Sequence, residues 1–277
     1  MLKKVYMALS ALAAVGICLL TEAFSSLKWL WLLPVVFLGS YLVLLLLTFI
    51  FVLLMAEAVD MNKEQEKDSS FYRGVFHAGV TVVLPLLQVR VHYQGLEQTP
   101  AQGNCLVVCN HIFDLDPVFL LEAFREKKLA FIAKREVMNM FIAGPFLHKM
   151  RGQPINREND REALKTILNC VRLINEDAAS VAVFPEGYVS MDKKLHPFRN
   201  GVFKIALKTK VPIVVCTLQN TQHILHNAMR LKPTDVHMHL VGVIEPQDYQ
   251  GMTAVQIGER VHKMMADDLG PELVLQT

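Results

Sequence analysis

The chain has 277 residues, a formal net charge of +2 and 52% hydrophobic residues. At about 100–200 residues per domain, this length fits one sizeable domain with an appendage. The near-balanced charge excludes the broad basic surface of a nucleic-acid binder, and the five scattered cysteines, Cys18, Cys105, Cys109, Cys170 and Cys216, argue against a disulfide framework and read as buried free thiols.

Two apolar stretches open the sequence. Seventeen uncharged residues separate Lys4 from Glu22, and 28 separate Lys28 from Glu57. A helix needs about 20 apolar residues to span the hydrocarbon core, so the second stretch qualifies and the first is at the lower limit. A signal peptide is the alternative for the first, but Thr21-Glu22-Ala23 makes a poor cleavage site. The preferred reading is a helical hairpin turning at 22–28, with Trp29 and Trp31 near one membrane interface. Lys3, Lys4, Lys63, Lys67 and Arg73 lie outside the hairpin, against Lys28 in its turn. The positive-inside bias then places the remainder in the cytoplasm, at the inner membrane if the source is bacterial.

Residues 57–70 are polar, mixed in charge and aperiodic, which suits a linker. The following FYRGVFHAGVTVVLPLLQV is too short and interrupted for a third span. It reads as an interfacial helix running to Pro85, its apolar face against a bilayer. The expected division is a membrane hairpin over 1–57, a linker and interfacial helix over 58–87, and the main domain over 88–277.

From residue 88 the texture becomes that of an α/β domain. Short β-rich runs recur at VRVHY, CLVVC, LAFIA, SVAVF, VPIVVCTL and VHMHLVGVI. Helical segments at 117–127, 158–175 and 198–209 lie between them, and 253–269 should form a closing helix. This alternation predicts a mainly parallel sheet flanked by helices.

The chemistry concentrates first in CLVVCNHIFDLDPVFLLEAF. A strand ends at Cys109, Asn110-His111 follow in a turn, and Asp116-Pro117 opens a helix. Ligands usually bind at such strand ends in α/β sheets. Asp116 before Pro117 also suits a helix N-cap, and a lone His-x-x-x-x-Asp is a weak signal. Three further blocks follow in order: MRGQPINRE with Arg157, Phe184-Pro185-Glu186-Gly187 after a strand, and Val211-Pro212-Ile213 opening another.

This order of four blocks, over roughly residues 88–250, resembles the glycerolipid acyltransferase family, best known for its lysophosphatidic acid acyltransferases. The resemblance implies that His111 is a general base and Asp116 its partner. It implies that Arg157 contacts the acceptor phosphate and that Glu186 and Gly187 shape the same pocket. Lys134 in AKREV matches a basic position between the first two blocks, and Pro212 belongs to a block thought to line the acyl-donor side. These roles make chemical sense. A hydroxyl attacks a thioester poorly unless its proton is removed, which histidine, with an ordinary pKa near 6.5, can do. A carboxylate on the other ring nitrogen fixes the tautomer. Arginine can hold two phosphate oxygens at once.

The sequence departs from the family pattern in several places. Arg151 stands where glycine is expected, Tyr188-Val189 replace the common threonine-arginine, Val215 replaces a proline, and Phe113 stands where serine is frequent. With no serine at that point, the acceptor hydroxyl is the nucleophile and no acyl-enzyme forms. Arg151 and Arg199 are candidates to replace the lost arginine. A zinc site at His223, His226, His237 and His239 is rejected for want of supporting cysteine or carboxylate spacing.

The leading expectation is transfer of an acyl group from acyl-CoA or acyl carrier protein to 1-acylglycerol-3-phosphate, with no cofactor beyond the donor and with the bilayer and lysolipid as partners. Alternatives are another lysolipid acceptor, a thioesterase, or a non-catalytic lipid-binding protein on the same fold.

Overall fold

A computed structural model describes residues 2–26, 29–65 and 67–275. Helices α1 (Leu2–Leu20) and α2 (Leu32–Glu57) are each long and apolar enough to cross a membrane, by length and composition. Together they form the expected antiparallel pair. Leu27 and Lys28, in the connection, lie outside the described residues. The face of α1 toward α2 carries Tyr6, Ser10, Ala14 and Cys18, one per turn and mostly small, so the helices approach closely. The Tyr6 hydroxyl bonds that of Thr48, and the Tyr6 ring meets Tyr41 edge-on. Leu38, Leu42, Leu46 and Leu54 on α2 are exposed, as are Trp29 and Trp31 before it.

Helix α3 (Ser70–Leu86) begins at Ser69, whose hydroxyl accepts the Tyr72 N–H, and it holds Pro85 in its last turn. It packs on α1 and on the main domain at once. Its first turns are fixed by buried polar groups rather than by an apolar stripe alone. Arg73 donates to Asp68 at 2.8 Å and to the carbonyl of Leu129 at 2.8 Å. His77 meets Glu122 at 2.5 Å, and the Tyr72 hydroxyl donates to the carbonyl of Met55 in α2. The preceding linker is therefore anchored at its end, because Asp68 is buried and Ser69 N–H bonds the Lys149 carbonyl.

The main domain is a seven-stranded sheet. Its elements in chain order are β1 (Val89–Gln94), β2 (Leu106–Cys109), α4 (Asp116–Ala123), β3 (Leu129–Lys134), α5 (Arg135–Met138), α6 (Ala143–Lys149), β4 (Gln153–Ile155), α7 (Asp160–Asn175) and β5 (Ser180–Val183). There follow α8 (Lys204–Thr209), β6 (Ile213–Gln219), α9 (Ile224–Met229), β7 (Thr234–Ile244) and α10 (Ala254–Leu269). The strand order is β1-β7-β6-β2-β5-β3-β4, with every pair parallel except β6–β7. The mainly parallel sheet read from the sequence is present. Short β4, interrupted by Pro154, escaped that reading because proline is tolerated only at sheet edges.

Alternate residues of each central strand feed two cores. Val107 and Cys109 of β2 face α3, α4, α6 and α9, while Leu106 and Val108 face α7, α8 and α10. All five cysteines are free and buried.

Strand direction determines what lies at each edge. The carboxyl ends of β2, β3, β4, β5 and β6 share one edge of the sheet. Because β7 runs against β6, and β1 runs with β7, the amino ends of β1 and β7 share that edge too.

Candidate active site

His111, Lys134, Arg157, Glu186 and Gly187 all lie at or just after carboxyl ends of parallel strands, so they line this one edge. His111 follows β2. Its Nδ1 is 3.0 Å from Asp116 Oδ2, and its ring stacks on Phe184 with centroids 4.1 Å apart. Among the described residues Nε2 has no hydrogen-bond partner.

Asp116 is wholly buried and fully satisfied. Oδ2 also accepts the N–H groups of Ile112 at 2.7 Å and Phe113 at 2.8 Å, and Oδ1 accepts the Thr221 hydroxyl at 2.6 Å. It is the first residue of α4 and not its N-cap, which is Leu115. Its side chain turns back onto the loop behind it. With four donors around it, the carboxylate fixes the His111 ring through Nδ1 and leaves Nε2 without a partner among the described residues.

Glu186 is buried beneath the same loop. Oε1 accepts the His111 N–H at 2.8 Å and Oε2 the His196 N–H at 2.9 Å. Burial pushes its pKa up to about 7, with the two N–H donors acting the other way. Both oxygens are thereby engaged in shaping the loops rather than turned toward a ligand.

The segment from Gly187 to Arg199 closes over the His111 loop. Ser190 N–H donates to the His111 carbonyl at 2.8 Å, and Lys193 Nζ donates to the Ile112 carbonyl at 3.0 Å. Asp192 accepts from Ser190 and His196, which hold its pKa low, and Tyr188 rests edge-on against His196.

Gly187 has φ of +85°, a region few residues with side chains adopt. A β-carbon there would lie 3.0 Å from Arg199 Cδ, 3.2 Å from Arg199 Nε and 3.6 Å from Arg157 Nε. Two guanidinium groups thus converge on this glycine, and neither has a carboxylate partner among the described residues. Burial, and then the charge of Arg199, lower the pKa of Arg157. It is Arg199, and not Arg151, that stands with Arg157. Arg151 is buried with φ of +65°, so it adopts the conformation the expected glycine would supply. Lys134 is exposed at the end of β3.

Pro212 is not brought to this site. It precedes the amino end of β6, and its carbonyl accepts the Leu106 N–H at the opposite edge of the sheet. Thr221, Lys193 and the ring stack of Phe184 were missed by sequence reasoning. Thr221 lies 105 residues from the carboxylate it bonds, and no local pattern marks it. Of the four histidines considered for zinc, His239 bonds Asp268 and His237 stacks on His92.

A family model described as Acyltransferase matches residues 90–219, the segment that contains His111, Asp116, Lys134, Arg157, Glu186, Gly187 and Arg199 but not Thr221. Residues 90–219 are thus similar to acyltransferase domains. Curated relatives include the chloroplastic 1-acyl-sn-glycerol-3-phosphate acyltransferase BAT2 of Brassica napus, 34% identical over 56% of this chain and 45% of that protein. A 1-acyl-sn-glycerol-3-phosphate acyltransferase of Cocos nucifera is 29% identical over 60% of this chain and 54% of that protein. One from Borreliella burgdorferi is 25% identical over 64% and 71%. The chain thus matches about half the length of the first of these relatives. Among solved structures, the 1-acyl-sn-glycerophosphate (LPA) acyltransferase PlsC from Thermotoga maritima aligns with a TM-score of 0.56 at 21% identity, over 82% of this chain and 89% of that one. That likeness establishes a shared fold.

Proposed function

We propose that the chain transfers a fatty acyl group from an acyl thioester, carried by coenzyme A or acyl carrier protein, to the free hydroxyl of 1-acylglycerol-3-phosphate, forming phosphatidic acid. The observation that carries this reading is the His111 ring, fixed through Nδ1 by a buried carboxylate with Nε2 open at the strand edge. In this reading the acceptor oxygen attacks the thioester carbonyl while Nε2 takes its proton. The tetrahedral adduct then expels the thiolate, which receives the proton from His111. Asp116, bonded to Nδ1, stabilises the imidazolium. Arg157 and Arg199 bind the acceptor phosphate, Lys134 adds positive charge along the edge, and Glu186 and Gly187 keep the two loops apart enough for the head group. Residues 2–57 anchor the enzyme in the bilayer with residues 88–277 on the cytoplasmic side.

His111→Ala should lower the acyl-transfer rate by about 100-fold or more while the protein stays folded. Unchanged turnover would overturn the mechanism.

Tyr188 and Val189 favour a second reading within the same reaction class, a lysolipid acceptor with a different head group. Purified enzyme given labelled acyl-CoA and a panel of lysolipids separates the two. Transfer to lysophosphatidic acid supports the first reading, and transfer only to another lysolipid replaces it. Release of free fatty acid without any acceptor would instead point to hydrolysis.

A further inference from the structure

The edge that carries His111 also carries an apolar surface that the described residues leave exposed. After Thr221, whose hydroxyl holds Asp116, the chain runs directly into α9. Met229 ends α9 and is 79% exposed, and Leu231 is 81% exposed. Leu231 adopts φ of +52°, a conformation that favours glycine or asparagine, yet a large apolar side chain stands there in the open. Beside it run the last turn of α3 and the start of β1. Thr234 N–H bonds the Gln88 carbonyl, and Val89 pairs with Thr234. Val83 and Leu86 of α3, both exposed, precede Gln88 by five and two residues. Arg230 and Lys232 alternate with the apolar residues and are exposed as well.

We propose that Val83, Leu86, Met229 and Leu231, flanked by Arg230 and Lys232, are a second lipid contact that docks the catalytic edge onto an anionic phospholipid surface. This rests on the membrane-anchor reading above and goes beyond it, since a hairpin alone tethers the domain without fixing its rotation. Three observations select a bilayer as the occupant. The patch is continuous with α3, which packs on α1 and so leads from the hairpin to the edge. Its apolar centre has cations beside it, the composition that suits an acidic membrane interface. The reversal of β1 and β7 puts it at the edge where an acyl-chain substrate must be received.

The test uses the full chain in phosphatidylethanolamine–phosphatidylglycerol nanodiscs. All five native thiols are buried, so single cysteines at Met229→Cys, Leu231→Cys, Leu164→Cys and Leu46→Cys can be labelled with an environment-sensitive fluorophore. Labels at 229 and 231 should be quenched by brominated lipid and protected from aqueous iodide. The label at 164, on exposed α7, should show the reverse. Iodide quenching at 229 and 231 equal to that at 164 overturns the proposal. Pyrene excimers at 231 would also overturn it, by showing a second copy of the chain there. Failure of lipid quenching at 46, on α2, would instead overturn the anchor reading. A Met229→Ser, Leu231→Ser double variant should lose roughly tenfold in kcat/KM on bilayer-embedded acceptor and nothing on detergent-dispersed acceptor, about one buried methylene group's worth per residue. Equal rates with wild type on both also overturn the proposal.

Discussion

Arg199 and Glu186 stand at the two ends of the segment that follows β5, and each makes a separate prediction. Arg199 projects to the open side of Gly187, beside Arg157. Arg199→Ala should raise KM for lysophosphatidic acid by about 10–100-fold, the range for a lost charge-assisted hydrogen bond, and leave acceptors without a phosphate unaffected. Steady-state kinetics on the two acceptor types checks this. Glu186 points inward, and burial raises its pKa from 4.5 to about 7. Between those values the folded protein holds a proton that the unfolded chain has released. The carboxyl therefore contributes stability below pH 4.5 and loses it as pH rises through about 7. The Tm of Glu186→Gln relative to wild type should accordingly rise between pH 5 and pH 8, measured by calorimetry in detergent. At this scale His111 and Asp116 were legible because a strand, a turn and a helix start place them close together in the chain. Glu186 was legible as a position, but its contacts were not. They join β5 to loops 75 and 10 residues away, and only the folded sheet brings those together.

Among the elements, α3 shows how a pattern can be right in type and incomplete in partnership. Its apolar residues predicted a helix to Pro85, and the helix ends one residue later. Arg73, counted in the sequence as one of several cations outside the hairpin, is in fact a buried joint. It binds Asp68 from the linker, Leu129 from β3 and, at 3.4 Å, Met150 after α6. Arg73→Leu should destabilise the protein by about 3–5 kcal/mol, because the Asp68 charge is left buried without its partner. Thermal or chemical unfolding of the full chain in detergent measures it, and Arg73→Leu with Asp68→Leu should recover much of the loss. The central β runs were readable since β2, β5 and β6 are buried on both faces, as in parallel sheets generally. Helices α5, α6 and α9 were not, since each has too few turns to show a period.

For the whole molecule, direction matters more than content. Two helices at one end and a mainly parallel sheet at the other could be read from hydropathy and alternation. The reversal at β6–β7 could not, since the strand sequences are alike in composition and only the connection lengths differ. Yet that reversal decides what surrounds the candidate site. It brings the amino ends of β1 and β7, and with them Leu86 and Leu231, to the side where His111 opens. An enzyme oriented in this way meets its acceptor by lateral diffusion, within a sheet of lipid, instead of from the surrounding volume. Its rate should then track the mole fraction of acceptor in the surface. Diluting that surface with inert phospholipid, at fixed total acceptor per litre, should slow the reaction in proportion, whereas adding buffer should change little.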